Sequence, residues 1–580
     1  MNTNSKTRFS IRMASTLLAS TCVAITLLAA PTMSVAAPGA AMEGMPSGSG
    51  THADLVALLQ EFLEWEDPAR AAGENELKDV AGKTVDKYPD YSTGAVQQRR
   101  AKMKALQAQL LDMNVKAWER RDQVDYLAVR ARFDQNEFTL NVSKPWSRDP
   151  GFYVDQMLPP TFVDLPVKGK ALEALRSDLR AMPKLVAQAK NNLTEVASDY
   201  ADLAFFNLAN ADGVGHGFPY RAVPPPGIIG WYADMLGRVE KQQPALKPDV
   251  LAAKAAAEDL LKWLNDNRSK MTGKAGVGRD NFNWYMKQVK LMPYTADDVV
   301  TLGNRELERL WAMYALEQHR NRKLPPLKIS ESGPEYEAKI KATDAQVRKF
   351  LRDEEIITIP PYINELHTNV PWIVRPTGPN FWEQVQFRDP HPDHLHAVIP
   401  GHAFDAIVER HNKDPIRSKL TDGVRTEGWG VYLEEGMMHA GILEDTPRVR
   451  ELIYLFGIFR AARAPADVWL QLNQMKVSDV VKFWIERTPY LEPSVARVDA
   501  EIYLRRPPGY GLGYMMGMLQ MQELLADSKR QLGDKFVLKT FHDTFMATGR
   551  LPLSLIRWEM TGLDDEVKTL WVRQPLPSAN

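Results

Sequence analysis

Histidine is concentrated in one stretch of this chain, which runs from Asp389 to Gly441. Six of the eleven histidines of the sequence fall inside it: His391, His394, His396, His402, His411 and His439. Imidazole is the commonest side-chain ligand for transition metals. Because a helix-like segment beginning with Glu427 follows, the stretch predicts a site in which two histidines and one carboxylate hold a metal ion. The rest of the chain must fold so that these side chains can meet.

His396 and His402 lie six residues apart, with Pro400 and Gly401 between them. On an ideal helix this spacing separates two side chains by about 240°, so they would face different directions. Proline kinks a helix and glycine adopts backbone angles that other residues avoid, so the chain can bend there. With Glu427, the two histidines would offer two nitrogen ligands, one oxygen ligand and an open position for water. The alternative is that both are hydrogen-bonded loop residues around a kink.

The composition is that of an ordinary globular protein. The chain has 580 residues, of which 44% are hydrophobic and 25% are charged, and its formal net charge is −1. This neutral balance argues against a surface that follows a phosphate backbone, so nucleic acid is not an expected partner. After the first forty residues, no stretch is apolar for long enough to predict a membrane span.

Residues 1–36 have the pattern of a secretory signal peptide. Basic residues precede an apolar run that ends at Ala30, and Ser34 and Ala36 suit the positions before a cleavage site. We therefore predict an exported protein, periplasmic or secreted; the alternative is an uncleaved membrane anchor. The only cysteine, Cys22, would be removed with this segment. Metal ligands in the mature chain must then be histidine, aspartate or glutamate.

Helical periodicity dominates the remainder. Residues 37–52 are rich in Gly, Pro, Ser and Met and are predicted to form a flexible linker. From residue 53 to residue 580, apolar residues mostly recur at three- and four-residue spacing, which predicts one large, mostly helical domain. Residues 372–387 differ, because β-branched and aromatic residues flank a Pro-Thr-Gly-Pro turn. This pattern predicts a small β-hairpin beside the site.

Three motifs resemble those of a known bacterial family. Residues 396–402 have the sequence HAVIPGH, and residues 427–434 have the sequence EGWGVYLE. They resemble the motifs HExxPGH and EGWALYAE of the family called domain of unknown function 885, which is similar to gluzincin metallopeptidases. Residues 508–517, PGYGLGYMMG, resemble a third motif of that family. The resemblance covers most of the mature chain and implies a mainly α, multi-helix gluzincin-like fold.

The resemblance also implies a site and an activity. One zinc ion would be held by His396, His402 and Glu427, and the substrate would be a peptide or a small amide. In gluzincins the glutamate after the first histidine is the general base, but that position is Ala397 here. General acid–base catalysis is typically worth about 10²–10⁴-fold in rate, and a methyl group cannot move a proton. The resemblance therefore implies a hydrolase with an altered general-base position.

Three interpretations follow. In the first, which we favour, the protein is a hydrolase with another base, either Glu434 by its helical position, or His391 or His394. In the second, zinc supports a non-hydrolytic lyase or isomerase step, with Tyr510 or Tyr514 as acid or base. In the third, the protein is a catalytically impaired pseudoenzyme that binds a metal or a peptide.

Two arginines and two tyrosines complete the predicted site. Arg505 and Arg506 could hold a substrate carboxylate in a bidentate grip; the alternative is a surface ion pair. Tyr514 could stabilise an oxyanion through its hydroxyl hydrogen; the alternative is a tyrosine of the core. Tyr510 stands where the family has a glutamine. The sequence leaves open the substrate, the metal, the replacement base and the oligomeric state.

Overall fold

Helix accounts for 68% of the structure and strand for 1%, and no sheet is present in the part of the chain that the structure describes. The computed structural model describes residues 42–67, 88–210, 221–364, 366 and 370–577. The predicted signal peptide, with its cysteine, lies outside these residues. The mainly helical class expected from the sequence periodicity is confirmed.

The N-terminal half is a series of helices of varied length. In chain order they are His52–Glu66, Thr93–Leu111, Arg120–Phe138, Pro145–Arg148, Gly151–Met157, Gly169–Asn192, Ser198–Ala209, Gly227–Gln242, Lys247–Asn267, Arg279–Gln288 and Ala296–Arg320. A π-helical turn covers Thr139–Ser143, and short 3₁₀ turns cover Val115–Ala117, Pro159–Phe162, Pro244–Leu246 and Arg268–Lys270.

The C-terminal half continues in the same way. Its helices are Gly333–Asp353, Phe381–Gln386, His391–Asp393, His402–Arg410, Gly423–His439, Val449–Ala461, Arg463–Gln471, Val477–Arg487, Pro493–Arg505, Gly513–Leu532, Leu538–Ala547 and Leu553–Thr561. A π-helical turn covers His394–Val398, and 3₁₀ turns cover Arg417–Lys419 and Gly533–Lys535. Among the described residues, none of the helices combines the length and the apolar character that crossing a bilayer requires.

The predicted flexible linker, residues 37–52, ends in an ordered stretch; its first residues lie outside the described ones. The Asn114 N–H donates a hydrogen bond to the carbonyl oxygen of Gly50 at 2.8 Å, and His52 is already the first residue of a helix. Backbone hydrogen bonds therefore hold the end of this segment against a neighbouring turn. By its contacts, Ala40–Asn580 forms one unit.

Two long helices carry much of the predicted site. The glutamate helix, Gly423–His439, carries Glu427, and the tyrosine helix, Gly513–Leu532, carries Tyr514. Both helices are largely buried, because they pack on each other and on the helix Val449–Ala461. The catalytic candidates therefore sit on elements that the core holds in place.

Two glycines set the distance between these helices. A Cβ atom on Gly428 of the glutamate helix would lie 2.4 Å from the carbonyl carbon of Gly517 on the tyrosine helix. A Cβ atom on Gly517 would lie 2.3 Å from the carbonyl oxygen of Val424. Only residues without a side chain allow two backbones to approach this closely. The crossing fixes the relative positions of the two helices that bear the site.

The predicted β-hairpin at residues 372–387 is wrong. Asn380 precedes a helix, Phe381–Gln386, and no strand forms in the described part of this segment. The Asn380 side chain accepts a hydrogen bond from the Glu383 N–H at 2.9 Å, and the Glu383 carboxylate accepts one from the Asn380 N–H at 2.9 Å. This reciprocal cap stabilises the first turn of a helix. Phe381 and Val385 of this short helix are buried in the core, whereas Val374 in the preceding loop is largely exposed.

His542 is fully buried beneath the glutamate helix. Its Nδ1–H donates to the carbonyl oxygen of Ile356 at 2.8 Å, and its Nε2 accepts from the Tyr432 hydroxyl at 2.8 Å. Burial lowers the pKa of His542 to about 4, because the site cannot hydrate a cation. Protonation would also place two donors, Nε2–H and the tyrosine O–H, against each other. The fold therefore requires the neutral imidazole.

We expect the free energy of unfolding to fall by about 2 kcal/mol, through His542, when the pH drops from about 7 to about 5. The pKa of histidine in the unfolded chain is about 6.5, whereas that of folded His542 is about 4. The unfolded state takes up the proton first, so this contribution is complete above about pH 6.5 and is lost as the pH falls toward 4. Urea unfolding at both pH values measures it. In His542→Gln, the change in the free energy of unfolding between the two pH values should be smaller by this amount. If that change is the same as in the wild type, the prediction is contradicted.

Candidate metal centre

The chain bends sharply between His396 and His402. His396 belongs to the π-helical turn His394–Val398, and His402 is the first residue of the next helix. A Cβ atom on Gly401 would lie 1.9 Å from the carbonyl oxygen of His396, so only glycine fits at the bend. As a result the two imidazole rings meet edge to face, with their centroids 4.5 Å apart.

The bend brings both imidazoles to one carboxylate of the glutamate helix. The indole N–H of Trp429, on that helix, donates to the carbonyl oxygen of Pro400 at 2.9 Å and ties the bend to it. Both Nε2 atoms approach the same oxygen, Oε2 of Glu427: that of His402 at 3.2 Å and that of His396 at 3.4 Å. One potential ligand atom of each residue lies within 4.8 Å of the other two. His396 is buried, whereas His402 and Glu427 are partly exposed.

This donor set fits a four-coordinate divalent ion such as zinc. In a tetrahedral site with zinc–ligand distances of about 2.0–2.1 Å, neighbouring ligand atoms are about 3.3 Å apart. The nitrogen–oxygen distances of 3.2 and 3.4 Å at Glu427 match that edge. Three protein donors leave a fourth position open, and all three residues line a cavity. The residues present could therefore hold an ion that a substrate can reach.

The charges around Glu427 favour a cation. Burial would raise the pKa of its carboxyl group, but the imidazoles of His396 and His402 outweigh burial and hold the pKa far below its ordinary value. Burial and the Arg460 guanidinium would lower the pKa of His396, but the carboxylates of Glu427 and Glu434 outweigh them and raise it. The negative charge of the cluster is therefore balanced by protons on imidazole, or by a metal ion that displaces them.

Glu434 lies behind His396, away from the open side of the cluster. The Glu434 Oε1 atom is 2.7 Å from Nδ1 of His396, and the other ring nitrogen of His396 faces Glu427. A carboxylate oxygen of Glu434 also lies 2.6 Å from the guanidinium of Arg460. Glu434 is almost fully buried and does not line the cavity. Its position gives no support to the prediction that it is the replacement base, because its carboxylate does not face the cavity. A carboxylate on the second nitrogen of a metal-binding histidine commonly orients the ring.

A cavity of about 320 Å³ adjoins the three residues. Its wall is rich in charged and aromatic side chains, among them Trp382, Glu383, Asp393, Arg460, Arg463, Asp499, Tyr503, Arg506, Tyr510 and Tyr514. Small-molecule sites have volumes of about 300–1,000 Å³, so the cavity suits a small ligand or part of a peptide.

Tyr510 and Tyr514 both line the cavity, with their hydroxyl oxygens 3.4 Å apart. The Tyr514 ring lies nearly parallel to the His396 imidazole, and the centroids are 6.3 Å apart. Burial, together with the negative charge of Glu427, raises the pKa of Tyr514 well above its ordinary value. Its hydroxyl therefore keeps its proton near neutral pH and can donate a hydrogen bond. Its catalytic role stays a prediction.

The two neighbouring arginines have different surroundings. Arg505 contacts three carboxylates, those of Asp149 at 2.9 Å, Asp155 at 2.7 Å and Glu501 at 2.8 Å. It does not line the cavity, so its position gives no support to the prediction that it binds substrate. Its ion pairs join distant segments of the chain. Arg506 does line the cavity, and its guanidinium lies 4.3 Å from the centroid of a tyrosine ring of the wall. Substrate binding by Arg506 stays a prediction.

The other candidates for a replacement base do not line the cavity either. Nδ1 of His391 lies 2.7 Å from an oxygen of Asp389, and Nε2 of His394 lies 3.1 Å from an oxygen of Asp344. Both imidazoles are buried and hold the segment before the bend against its neighbours. Ala397 is partly buried, packs against the hydrophobic core and is not part of the cavity wall.

The cavity contains residues that the sequence did not assign to this site. Asp393 lines the cavity and lies three residues before His396. Its position inside the histidine-rich stretch could therefore have identified it as a residue of this site. Arg463 and Asp499 form an ion pair at 3.0 Å. They come from different helices, and nothing local in the sequence marks them as partners. Tertiary packing alone brings that pair to the site.

A second group of possible metal ligands consists of His52, Asp122 and Asp125, whose ligand atoms lie within 4.8 Å of one another. Asp125 also contacts Arg417 at 2.8 Å, so its charge is already balanced within the protein. No residue of this group lines the cavity beside the first group. The first group is therefore the stronger candidate for a centre that acts on a ligand.

Comparison with known proteins gives a family and a fold. The family model described as "Bacterial protein of unknown function (DUF885)" matches residues 75–368 and 393–560. None of the curated proteins matches the chain. The chain is similar to the solved structure of "a putative lipoprotein of unknown function" from Shewanella oneidensis, with a TM-score of 0.66 and 16% identity over 88% of this chain and 100% of that one.

A second solved structure, "the putative lipoprotein from Colwellia psychrerythraea", gives a similar result. Its TM-score is 0.66 and its identity is 16%, over 87% of this chain and 98% of that one. At this level of identity, the likeness shows a shared fold and nothing about activity.

Proposed function

The chain belongs to DUF885, a bacterial family of unknown function, and from that premise we propose that it is a zinc-dependent hydrolase of peptide or amide bonds, related to the gluzincins. The observation that carries the proposal is the approach of His396 and His402 to one oxygen of Glu427 beside a cavity. Two imidazoles, one carboxylate and an open position are the donor set of many catalytic zinc sites. These three residues are the proposed metal ligands.

The side chains that line the cavity would have complementary roles in the proposed hydrolysis. A bound zinc ion would supply a Lewis acid for the substrate carbonyl and a water molecule of lowered pKa. The hydroxyl of Tyr514 would donate a hydrogen bond to the oxyanion that develops on the carbonyl oxygen. The guanidinium of Arg506, stacked on Tyr510, would bind a substrate carboxylate through two parallel N–H donors. A peptide or small amide with a free carboxylate near the scissile bond suits this arrangement.

Glu434→Gln is expected to weaken zinc binding by about 10-fold, the lower end of the range for partners that orient a metal-binding histidine. The amide keeps the size of the side chain beside Arg460 but removes the charge that fixes and polarises His396. Competition titration with a zinc-binding dye measures the affinity. Glu435→Gln is the matched control, because Glu435 contacts Arg309 and not His396. Equal affinities in the two variants would mean that Glu434 does not act on the metal site.

Ala397 favours a second candidate function. A protein that binds a metal ion and a peptide without cleaving it would need the same ligands and no general base. A non-hydrolytic lyase or isomerase step, with Tyr510 and Tyr514 as acid and base, would likewise need no glutamate at this position. Both alternatives predict zinc at the site without peptide cleavage.

Two measurements on the purified protein test the proposed function. Elemental analysis after dialysis should find about one zinc ion per chain, because the site offers a single set of donors. Incubation with a library of synthetic peptides with free termini, followed by mass spectrometry, should give cleavage products that disappear with a chelator and return with added zinc. Zinc without cleavage supports the two alternatives, a binding protein or a non-hydrolytic zinc enzyme, and the absence of bound metal contradicts all three functions.

We also propose that the protein works outside the cytoplasm. The support is the signal-like pattern of residues 1–36, together with the description of both similar structures as lipoproteins. Fractionation of cells that express the full chain tests this: the protein should appear in the envelope or medium with a shortened N-terminus.

A further inference from the structure

The proposed hydrolysis needs a group that takes a proton from water, and Ala397 cannot do so. Four carboxylates line the cavity: Glu383, Asp393, Glu427 and Asp499. A general base must reach the water and must be free to accept a proton. A carboxylate that is held by a cation or a metal ion is a poor base, because the positive charge stabilises its ionised form.

Three of the four carboxylates are already engaged. Glu383 lies 2.8 Å from the guanidinium of Arg375 and also caps its own helix. Asp499 forms an ion pair with Arg463 at 3.0 Å. Glu427 contacts both imidazoles and is the proposed oxygen ligand. None of these carboxylates is free to move a proton.

Asp393 is different. One of its oxygens accepts a hydrogen bond from the side-chain amide of Gln386, and no cation of the described residues lies within ion-pair distance of its carboxylate. It precedes His396 by three residues, within about one helical turn, so both side chains reach the same wall of the cavity. Burial raises the pKa of Asp393 above its ordinary value and outweighs the positive charges of His396 and Arg460, which act in the opposite direction. A carboxylate with a raised pKa is a stronger base.

We propose that Asp393 is the general base of this protein, in place of the glutamate that Ala397 replaces. The inference rests on the proposed hydrolytic function. The oxygen of Asp393 that does not contact Gln386 takes a proton from the attacking water while the water oxygen bonds to the carbonyl carbon and the carbonyl electron pair moves to its oxygen. When the carbon–nitrogen bond breaks, Asp393 gives the proton to the leaving nitrogen. One water is consumed per bond, and the carboxylate is restored.

Asp393→Asn tests the proposal, because an amide oxygen can still accept the hydrogen bond from Gln386 but cannot take up the proton. On one peptide that the wild type cleaves, kcat should fall by about 10²–10⁴-fold, whereas KM, zinc content and melting temperature should stay close to those of the wild type. Asp389→Asn is the matched control. Asp389 lies four residues earlier, contacts His391 and does not line the cavity, so this variant should keep wild-type kcat.

The outcomes separate this inference from the function on which it rests. If the wild type cleaves no peptide in the library, the proposed hydrolysis fails and the inference fails with it. If the wild type cleaves and Asp393→Asn retains kcat within a few-fold, the hydrolase stands and Asp393 is not its base. If Asp393→Asn loses zinc, the residue is a ligand, and the proposal is overturned by a measurement that does not depend on activity.

Discussion

Replacing His402 with alanine is expected to abolish zinc binding and peptide cleavage while leaving the fold intact. Nε2 of His402 lies 3.2 Å from Oε2 of Glu427, and the side chain is 29% exposed, so its removal costs the core little. Losing one of three protein ligands should lower zinc affinity by more than the ~10–100-fold that loss of an outer partner costs. Elemental analysis after dialysis, peptide cleavage and a thermal melt together measure the effect.

His411→Ala is the control for this experiment. His411 follows the last residue of the same helix, is exposed, and stacks on Tyr362 with ring centroids 3.8 Å apart. This variant should keep the zinc content and activity of the wild type, since it removes an imidazole that does not face the cavity. If His402→Ala retains one zinc ion per chain, the metal is bound elsewhere, and the group around His52 becomes the candidate.

The sequence was sufficient to select the centre of the site because the decisive signals are local. Pro400 and Gly401 stand where the chain must bend, and the structure shows that a side chain at Gly401 would collide with the backbone of His396. The bend brings His396 and His402 together, and Glu427 opposes them from the glutamate helix. That these residues hold zinc stays a prediction.

The surroundings of the centre depend on contacts that no local pattern reveals. Glu434 lies two turns after Glu427 on the glutamate helix, which suggested a shared face, but it points at the far nitrogen of His396 and at Arg460. Arg505 and Arg506 are neighbours in the chain, yet their side chains go to an ion-pair cluster and to the cavity, respectively. Tertiary packing, and not the local sequence, therefore decides which groups each of these side chains contacts.

The β-hairpin prediction failed for a local reason that the sequence did contain. Asn380 and Glu383 have the spacing of a reciprocal helix cap, and the structure has both hydrogen bonds of that cap. The cap outweighed the strand preference of the aromatic and β-branched residues around it, since strand preference depends strongly on a partner strand. No partner strand is present among the described residues.

Gly428→Ala is expected to destabilise the protein by about 3 kcal/mol, near the upper end of the usual cost of overpacking a core. In an open helix the same change would stabilise by about 1 kcal/mol, because alanine is the better helix former. Here the new Cβ atom would lie 2.4 Å from the carbonyl carbon of Gly517. A backbone atom cannot rotate away, so the two helices must separate and the steric cost outweighs the gain in helix propensity. Separation would also move Glu427 relative to Tyr514.

The urea midpoint and the zinc affinity of this variant should therefore both fall. Gly436→Ala supplies the comparison on the same helix. The atoms nearest to a Cβ atom there would be those of the Tyr432 ring, at 3.6 Å, which is an ordinary contact. This variant should be unchanged or stabilised by up to about 1 kcal/mol. If both variants unfold at the wild-type urea concentration, the glycine crossing does not constrain the helices. The carboxylate and the tyrosine hydroxyl would then owe their positions across the cavity to other contacts.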